Sequence, residues 1–246
     1  MNGMDKISDR TVARLSLYRR LLGDLAGGGV EQVYSHQLAA ASRVTAAQVR
    51  RDLMGVGYTG TPVRGYRVGE LAAAIGRILD VAAGGEPVAL VGLGNLGKAM
   101  VTYFSERRGG MKVAAVFDND PRVVGWIVSG QVCRHVDELP EIVRTQGIRV
   151  AIITVPAAGA QAVADRLVEA GITGLVNFAP IRLRVPESVY VENMDMAVAL
   201  EKAAYFARRA GNVGQAFTRH PSGRPSPANE PQPGAAAPHA EAPADA

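Results

Sequence analysis

Three glycines and one carboxylate are the residues whose spacing most directly specifies chemistry in this chain. Gly92-Leu93-Gly94-Asn95-Leu96-Gly97 stands between a short apolar run, Pro87 to Val91, and a helical stretch from Lys98 to Glu106. In that setting the first glycine makes the turn, the second lets a pyrophosphate approach the backbone, and the third packs helix on strand. The helix N-terminus adds free N–H groups and the positive end of its dipole. A second strand, Val113 to Phe117, ends in Asp118, 21 residues beyond Gly97, where a carboxylate accepts both hydroxyls of an adenosine ribose. A 2'-phosphate there meets like charge, and no arginine directly follows Asp118, so the pattern favours NAD(H) over NADP(H), with Arg122 as a nearby cation. The competing reading has Asp118 capping a turn with Asn119, Asp120 and Pro121.

Two further strand ends, Val155-Pro156 and Phe178-Ala179-Pro180, point their loops toward the same cleft. Apolar loops there favour the neutral, reduced nicotinamide. A dehydrogenase also needs an acid or base beside that ring. No histidine lies between Val136 and Phe217, and His135 falls on what the pattern makes a surface connection. The region therefore reads as a sensor that binds a dinucleotide without turning it over, and not as an enzyme.

A different chemistry is written near the N-terminus. Thr45-Ala46-Ala47-Gln48 has the form of a capping box, with the Thr45 hydroxyl and the Gln48 side chain each satisfying a backbone N–H of a new helix. Val49 and Leu53 face inward on that helix, leaving Gln48, Arg50 and Arg51 outside, in the part of a recognition helix that reaches base edges. A glycine-rich stretch from Gly55 to Val68 predicts a two-stranded hairpin carrying Arg64 and Arg67. Residues 1–67 hold ten Lys/Arg against five Asp/Glu, whereas the remainder is close to neutral, so the excess positive charge is local, as phosphate binding requires. The DNA-facing set read from the helix and wing is Thr45, Gln48, Arg50, Arg51 and Arg64.

Positioning these residues takes two folded regions, and 48% apolar residues suffice for two cores. Helical patterns cover Asp9 to Leu25, Tyr34 to Ala41 and Glu70 to Ala82, with the pair Gly84-Gly85 marking a boundary. Beyond it come strand Val150 to Thr154, helix Ala160 to Ala170, strand Gly174 to Asn177, a short strand Val189 to Val191 and a helix from Met194 to Arg209. The fold class is thus α/β, an N-terminal winged helix-turn-helix followed by a Rossmann-type, doubly wound parallel sheet. Residues 1–84 form the DNA-binding domain, 85–193 the dinucleotide domain, 194–212 a separate C-terminal helix and 213–246 a disordered tail. Seven of the fourteen prolines fall after Thr218. A single cysteine, Cys133, excludes an internal disulfide, and the scattered histidines offer no metal-ligand spacing. No apolar run spans a membrane and no signal segment opens the chain, so a cytoplasmic protein is expected.

Four segments in order carry a family resemblance: 44–53, 92–97, Asn177-Phe178-Ala179-Pro180 with Val185-Pro186, and Val191-Glu192-Asn193-Met194-Asp195. Across residues 10–210 the chain resembles the Rex family of redox-sensing transcriptional repressors. The resemblance implies a homodimer that binds palindromic operator DNA and is released by NADH, with NAD competing and permitting DNA binding. It implies that the C-terminal helix is swapped between the partner's domains, that Tyr103 and Asp195 form a redox-responsive contact near the interface, and that Arg14 and Arg20 contact DNA or link the domains. The wing departs from the family pattern: Val56 stands where an aromatic residue is usual and Pro62 where an arginine is. Two other classes stay open on the residues, a small NAD-dependent oxidoreductase and a CoA-binding regulatory protein.

Overall fold

The computed structural model describes residues 7–60, 65–79, 85–106 and 111–217. Helix α1 (Asp9–Gly27) begins at Ser8, whose hydroxyl accepts the Thr11 N–H at 3.3 Å. It is followed by strand β1 (Gln32–Val33), helices α2 (Ser35–Ser42) and α3 (Ala46–Gly55), strand β2 (Tyr66–Arg67) and helix α4 (Val68–Ile78). Leu15, Tyr18 and Leu22 from α1 meet Leu38 from α2, Val49 and Leu53 from α3, and Leu71 and Ile75 from α4, all at 2% exposure or less. Burying each such side chain contributes about 2 kcal/mol.

The hairpin expected over 55–68 is not what forms. Strand β2 pairs antiparallel with β1, Val33 opposite Tyr66 and Gln32 opposite Arg67, so its partner lies between α1 and α2. Val33 is 2% exposed and supplies the buried side chain that the glycine-rich 55–60 stretch lacks; no strand forms there. Pro62 and Arg64 lie outside the described residues.

The second region alternates strand and helix. It comprises β3 (Glu86–Val91), α5 (Asn95–Glu106), β4 (Met111–Asp118), β5 (Ile127–Val128), β6 (Gln131–His135), a 3-10 turn (Val136–Glu138), α6 (Leu139–Thr145), β7 (Val150–Ile153), α7 (Ala157–Glu169), β8 (Gly174–Asn177) and β9 (Tyr190–Asn193). The sheet order is β5-β6-β4-β3-β7-β8-β9, parallel throughout except for the β5–β6 hairpin. Alternate residues of β3 part to the two faces: Val88 and Leu90 join Val101 of α5 and Val116, while Ala89 and Val91 join Leu139 and Val143 of α6 and Ala160, Ala164 and Leu167 of α7. Strand order reverses between β3 and β7, which places the ligand crevice of a doubly wound sheet outside their C-terminal ends.

Here too the expectations need amendment. Helix α5 starts at Asn95, inside the glycine fingerprint, and not at Lys98. His135 does not sit on a surface connection: it ends β6, in register with Asp118 of β4. The strand pair that carries it is joined by Ser129-Gly130, both with positive φ (48° and 79°), the geometry of a two-residue hairpin turn whose twist matches the strands.

The chain divides into two compact units, residues 1–195 and 196–246. The second contains helix α8 (Met196–Phe217), whose Met196, Leu200 and Phe206 are each at least 65% exposed. Among the described residues no helix is long and apolar enough to cross a membrane, and no cluster of three or more His, Cys, Asp or Glu is placed to hold a metal ion.

Candidate functional site

The glycine fingerprint is built as a turn that only glycine tolerates. Gly92 has φ of 104°, and a Cβ there would press on the Thr154 carbonyl at 2.8 Å. At Gly97 a Cβ would run into the Gly92 carbonyl oxygen, so the third glycine is what lets α5 start against the turn. Gly94 differs: a Cβ would meet nothing within 4 Å. The space above it is open, and it lies beside the α5 first turn, where the N–H groups of Asn95, Leu96 and Gly97 have no intrahelical acceptor. That is the surface a pyrophosphate needs, so the residues fit a dinucleotide.

Backbone bonds hold the loops of this edge together. The Gly92 N–H donates to the Phe117 carbonyl (2.8 Å), Thr154 N–H to Val91 (2.9 Å) and Phe178 N–H to Ile153 (2.9 Å). Thr154 Oγ1 donates to the Gly92 carbonyl at 2.7 Å, a role sequence reasoning did not assign. Asp118, half-buried at the end of β4, accepts the Leu93 N–H at 2.6 Å on one oxygen and the Asp120 N–H at 2.9 Å on the other. The turn-capping reading of Asp118 is realised, and the same carboxylate also ties β4 to the fingerprint loop. A carboxylate has about four acceptor sites, so two remain for a ribose.

The apolar loops are placed on both sides of the sheet. Val155 is half-buried and Pro156 is the exposed N-cap of α7. Phe178 packs with the α5-side core, whereas Ala179 is 7% exposed in the opposite core and Pro180 is exposed. Asn177, 1% exposed, scaffolds this loop: its Oδ1 accepts the Ala179 N–H (3.0 Å), and its Nδ2 donates to the Ile181 carbonyl (2.8 Å) and Asn193 Oδ1 (3.0 Å). Tyr103 lies on α5, 45% exposed and edge-on to Phe104, and Asp195 is exposed just beyond β9. Cys133 is buried beneath α5, and burial pushes its thiol up to about 11, so it stays protonated.

The basic face is organised by a carboxylate that sequence reasoning left without a role. Asp52, on α3, has a side chain only 4% exposed. It accepts Arg14 Nε at 2.6 Å and Arg14 Nη2 at 2.7 Å, the Tyr18 hydroxyl at 3.0 Å and Gln48 Nε2 at 2.8 Å. Burial alone raises its pKa, but the bonds from Arg14, Gln48 and Tyr18 outweigh that and hold it below the ordinary carboxylate range. The expected capping box is therefore only half formed. Thr45 Oγ1 does accept the Gln48 N–H at 3.1 Å, but the Gln48 amide turns to Asp52, a charged acceptor four residues on, instead of back to the N-cap.

This network decides which basic groups face outward. Arg14 is committed to Asp52. Gln48 presents its oxygen to Arg51 Nη2 at 2.8 Å, orienting that guanidinium, and Arg50 reaches Ser35 on α2 at 3.1 Å. Arg20, Thr45, Arg50 and Arg51 are exposed, and Gln48 is half-buried. The cue in the sequence was Asp52 itself, an acid in the middle of a basic helix, four residues after Gln48.

Comparison with known proteins gives consistent matches. Residues 85–181 match a family described as "CoA binding domain", and residues 6–53 one described as "Putative DNA-binding protein N-terminus". The chain is 40% identical over 209 residues to the "Redox-sensing transcriptional repressor Rex" of Roseiflexus sp., covering 85% of this chain and 94% of that protein. It is 42% identical over 203 residues to the Rex repressor of Streptomyces coelicolor, covering 82% of this chain and 78% of that protein. Among solved structures it is similar to RSP, a Rex-family repressor, with a TM-score of 0.75 at 31% identity, over 86% of this chain and 99% of that one. RSP in complex with beta-NAD+ and operator DNA gives a TM-score of 0.76, covering 87% and 98%, and RSP with beta-NADH gives 0.74, covering 85% and 98%, each at 31% identity.

Proposed function

Because the chain belongs to the Rex family of redox-sensing transcriptional repressors, we propose that its glycine fingerprint and its recognition helix are the two ends of one switch. It is a DNA-binding repressor that senses the balance of NADH and NAD. NADH bound at 92–97 releases the operator, whereas NAD competes for the site and permits DNA binding. The observation that carries this reading is the open ground above Gly94 beside an anchored Asp118, on the same chain as an ordered basic helix.

In this reading the N–H groups of the α5 first turn bind pyrophosphate, Asp118 accepts the ribose hydroxyls, and the loops Val155-Pro156 and Phe178-Ala179-Pro180 flank the nicotinamide. Thr45, Gln48, Arg50 and Arg51 face the major groove, with Arg20 and Arg64 on phosphate. Arg14 supports the recognition helix through Asp52 and does not itself contact DNA. The partner's C-terminal helix, about 194–212, covers apolar surface in a swapped homodimer. Two features support this: the exposed apolar residues of α8, and an open cavity of about 140 Å³ on the α5 face of the sheet, lined by Val88, Phe104, Val113, Val150, Ile152 and Val176. Tyr103 and Asp195 meet near that interface. The setting is the cytoplasm, where the operator is.

Binding without turnover fits the placement of His135, the one histidine among the described residues of the sheet region. His135 ends β6, three strand spacings from β7 and so about 14 Å from the loop at Val155. NADH can release DNA only by binding the DNA-incompetent state more tightly, and DNA then weakens NADH by the same factor. A change from mostly bound to mostly free requires a differential of about 10⁴, which two coupled sites share.

The test is operator-fragment binding at fixed salt, titrated with NADH, with NADH against excess NAD, and with CoA. Release by NADH that NAD reverses and CoA does not reproduce is the expected result. Release by CoA alone would support a CoA-responsive regulator, the reading the family match at 85–181 suggests.

A further inference from the structure

Two arginines on the segments next to Asp118 are each held by a carboxylate of their own segment. On the neighbouring strand Arg134 pairs with Glu138 of the turn that follows it at 3.2 Å. In the turn after β4 the one cation is Arg122, and it is folded back on Asp120. Its Nη2 donates to Asp120 Oδ2 at 2.8 Å and its Nε reaches both oxygens at 3.1 and 3.2 Å, while its backbone N–H donates to Oδ1 at 2.9 Å. Asp120 in turn donates its own N–H to Asp118. Asp118, Asp120 and Arg122 are thus linked in series, with the guanidinium four residues beyond the carboxylate proposed to border the ribose.

An arginine in this turn is the group that accommodates a 2'-phosphate in dinucleotide sites, because its planar fork matches phosphate geometry. Here the side chain is 88% exposed, and Asp120 is the partner that holds it. We propose that Asp120 is a selectivity residue of the dinucleotide site: by holding Arg122 it withholds from a 2'-phosphate the one cation of the 118–122 turn. Asp118 repels the 2'-phosphate of NADPH directly, and Asp120 removes the means by which that repulsion could be offset. This deepens the NADH-sensing reading and rests on it.

The test measures dissociation constants of NADH and NADPH by calorimetry for the full chain and for Asp120→Asn, Arg122→Gln and the double variant. Asparagine keeps a side-chain oxygen for the Arg122 backbone N–H, so the turn is retained while the ionic hold is lost; Asp120→Ser is carried alongside as a second way to do this. In Asp120→Asn and Asp120→Ser the ratio of the NADPH to the NADH constant is expected to fall about tenfold, one charge-assisted contact. In the double variant it should return to the starting ratio. A gain that persists in the double variant would assign the effect to lost negative charge alone and overturn the proposal, as would a ratio unmoved in both Asp120 variants. If the unaltered chain binds NADH and only these ratios fail, the sensing reading survives; if it binds neither dinucleotide, both fall.

Discussion

The two regions each hinge on one aspartate, and the aspartates are used in opposite ways. Asp52 in the N-terminal region is 4% exposed and takes four side-chain hydrogen bonds, which fill its acceptor sites. Asp118 in the sheet region is half-buried and takes two bonds, both from backbone N–H groups. A saturated carboxylate among side chains can only position its donors. One held by backbone at a strand end is equally fixed but keeps capacity for a ligand. The difference separates a carboxylate whose acceptor sites are filled from one with acceptor sites to spare.

The largest effect that would test this contrast is Asp52→Ala. It leaves Arg14 and Tyr18 facing a buried void and is expected to cost about 3 kcal/mol, because breaking a buried pair strands the other charge. Thermal melts check it, together with retention of NADH binding. Its pH dependence is fixed in sign. The folded pKa of Asp52 is depressed, so its contribution is complete above the ordinary carboxylate value and is lost as pH falls through the depressed value. The stability difference between wild type and variant should therefore shrink in acid and not in base.

Next comes the pair Gly97→Ala and Gly94→Ala. The first places a Cβ against the Gly92 carbonyl and should cost about 2 kcal/mol of stability as well as dinucleotide binding. The second meets no protein atom and should weaken NADH while leaving the melting temperature alone. Equal stability losses in the two would remove the claim that the ground above Gly94 is kept for a ligand. On the DNA side, Arg50→Ala is expected to cost about 2 kcal/mol in operator affinity if it reads a base. Titration at several salt concentrations distinguishes this from a phosphate contact, which weakens all sequences alike and flattens the salt slope.

Asp118→Ala sharpens the comparison from the other side. It should weaken NADH by about tenfold, with operator affinity in the absence of ligand unchanged and a stability loss well below that of Asp52→Ala. A loss as large as that of Asp52→Ala would make Asp118 a structural residue like its counterpart.

The parts legible in the sequence are those set by local pattern. The glycines between strand and helix, the Thr45 cap and the alternation of β3 announce themselves because each depends on residues a few positions apart. What escaped depends on distant partners. The strand facing β2 is Gln32–Val33, more than thirty residues earlier and too short for periodicity to register. The Ser129-Gly130 turn was a readable signal for β5–β6 and would have moved His135 to a strand end. Asp52 has no role legible in the sequence, because the partner that defines it, Arg14, is 38 positions away. Gln48 illustrates the limit: its spacing satisfies the capping box, but a charged acceptor one turn on competes successfully for its amide.

The smallest expected effect concerns how the two regions communicate. The Tyr190 hydroxyl on β9 lies 2.9 Å from Asp9 Oδ1, in the first turn of α1, and 2.6 Å from Glu192 Oε2. The hydrogen bond to Glu192, burial and the bond to Asp9 all raise the phenol's pKa, so it stays protonated. One phenolic proton thus stands between two carboxylates, one from each region. Tyr190→Phe removes it and leaves Asp9 and Glu192 to repel, a change worth under about 1 kcal/mol at so exposed a position. Neither site is touched, so NADH affinity without DNA and operator affinity without NADH should each stay within about twofold. Any coupling carried by this contact appears only as a change in the factor by which NADH weakens DNA binding. If that factor is unmoved, communication between Asp52's region and Asp118's runs elsewhere, and the proposed dimer interface becomes the place to look.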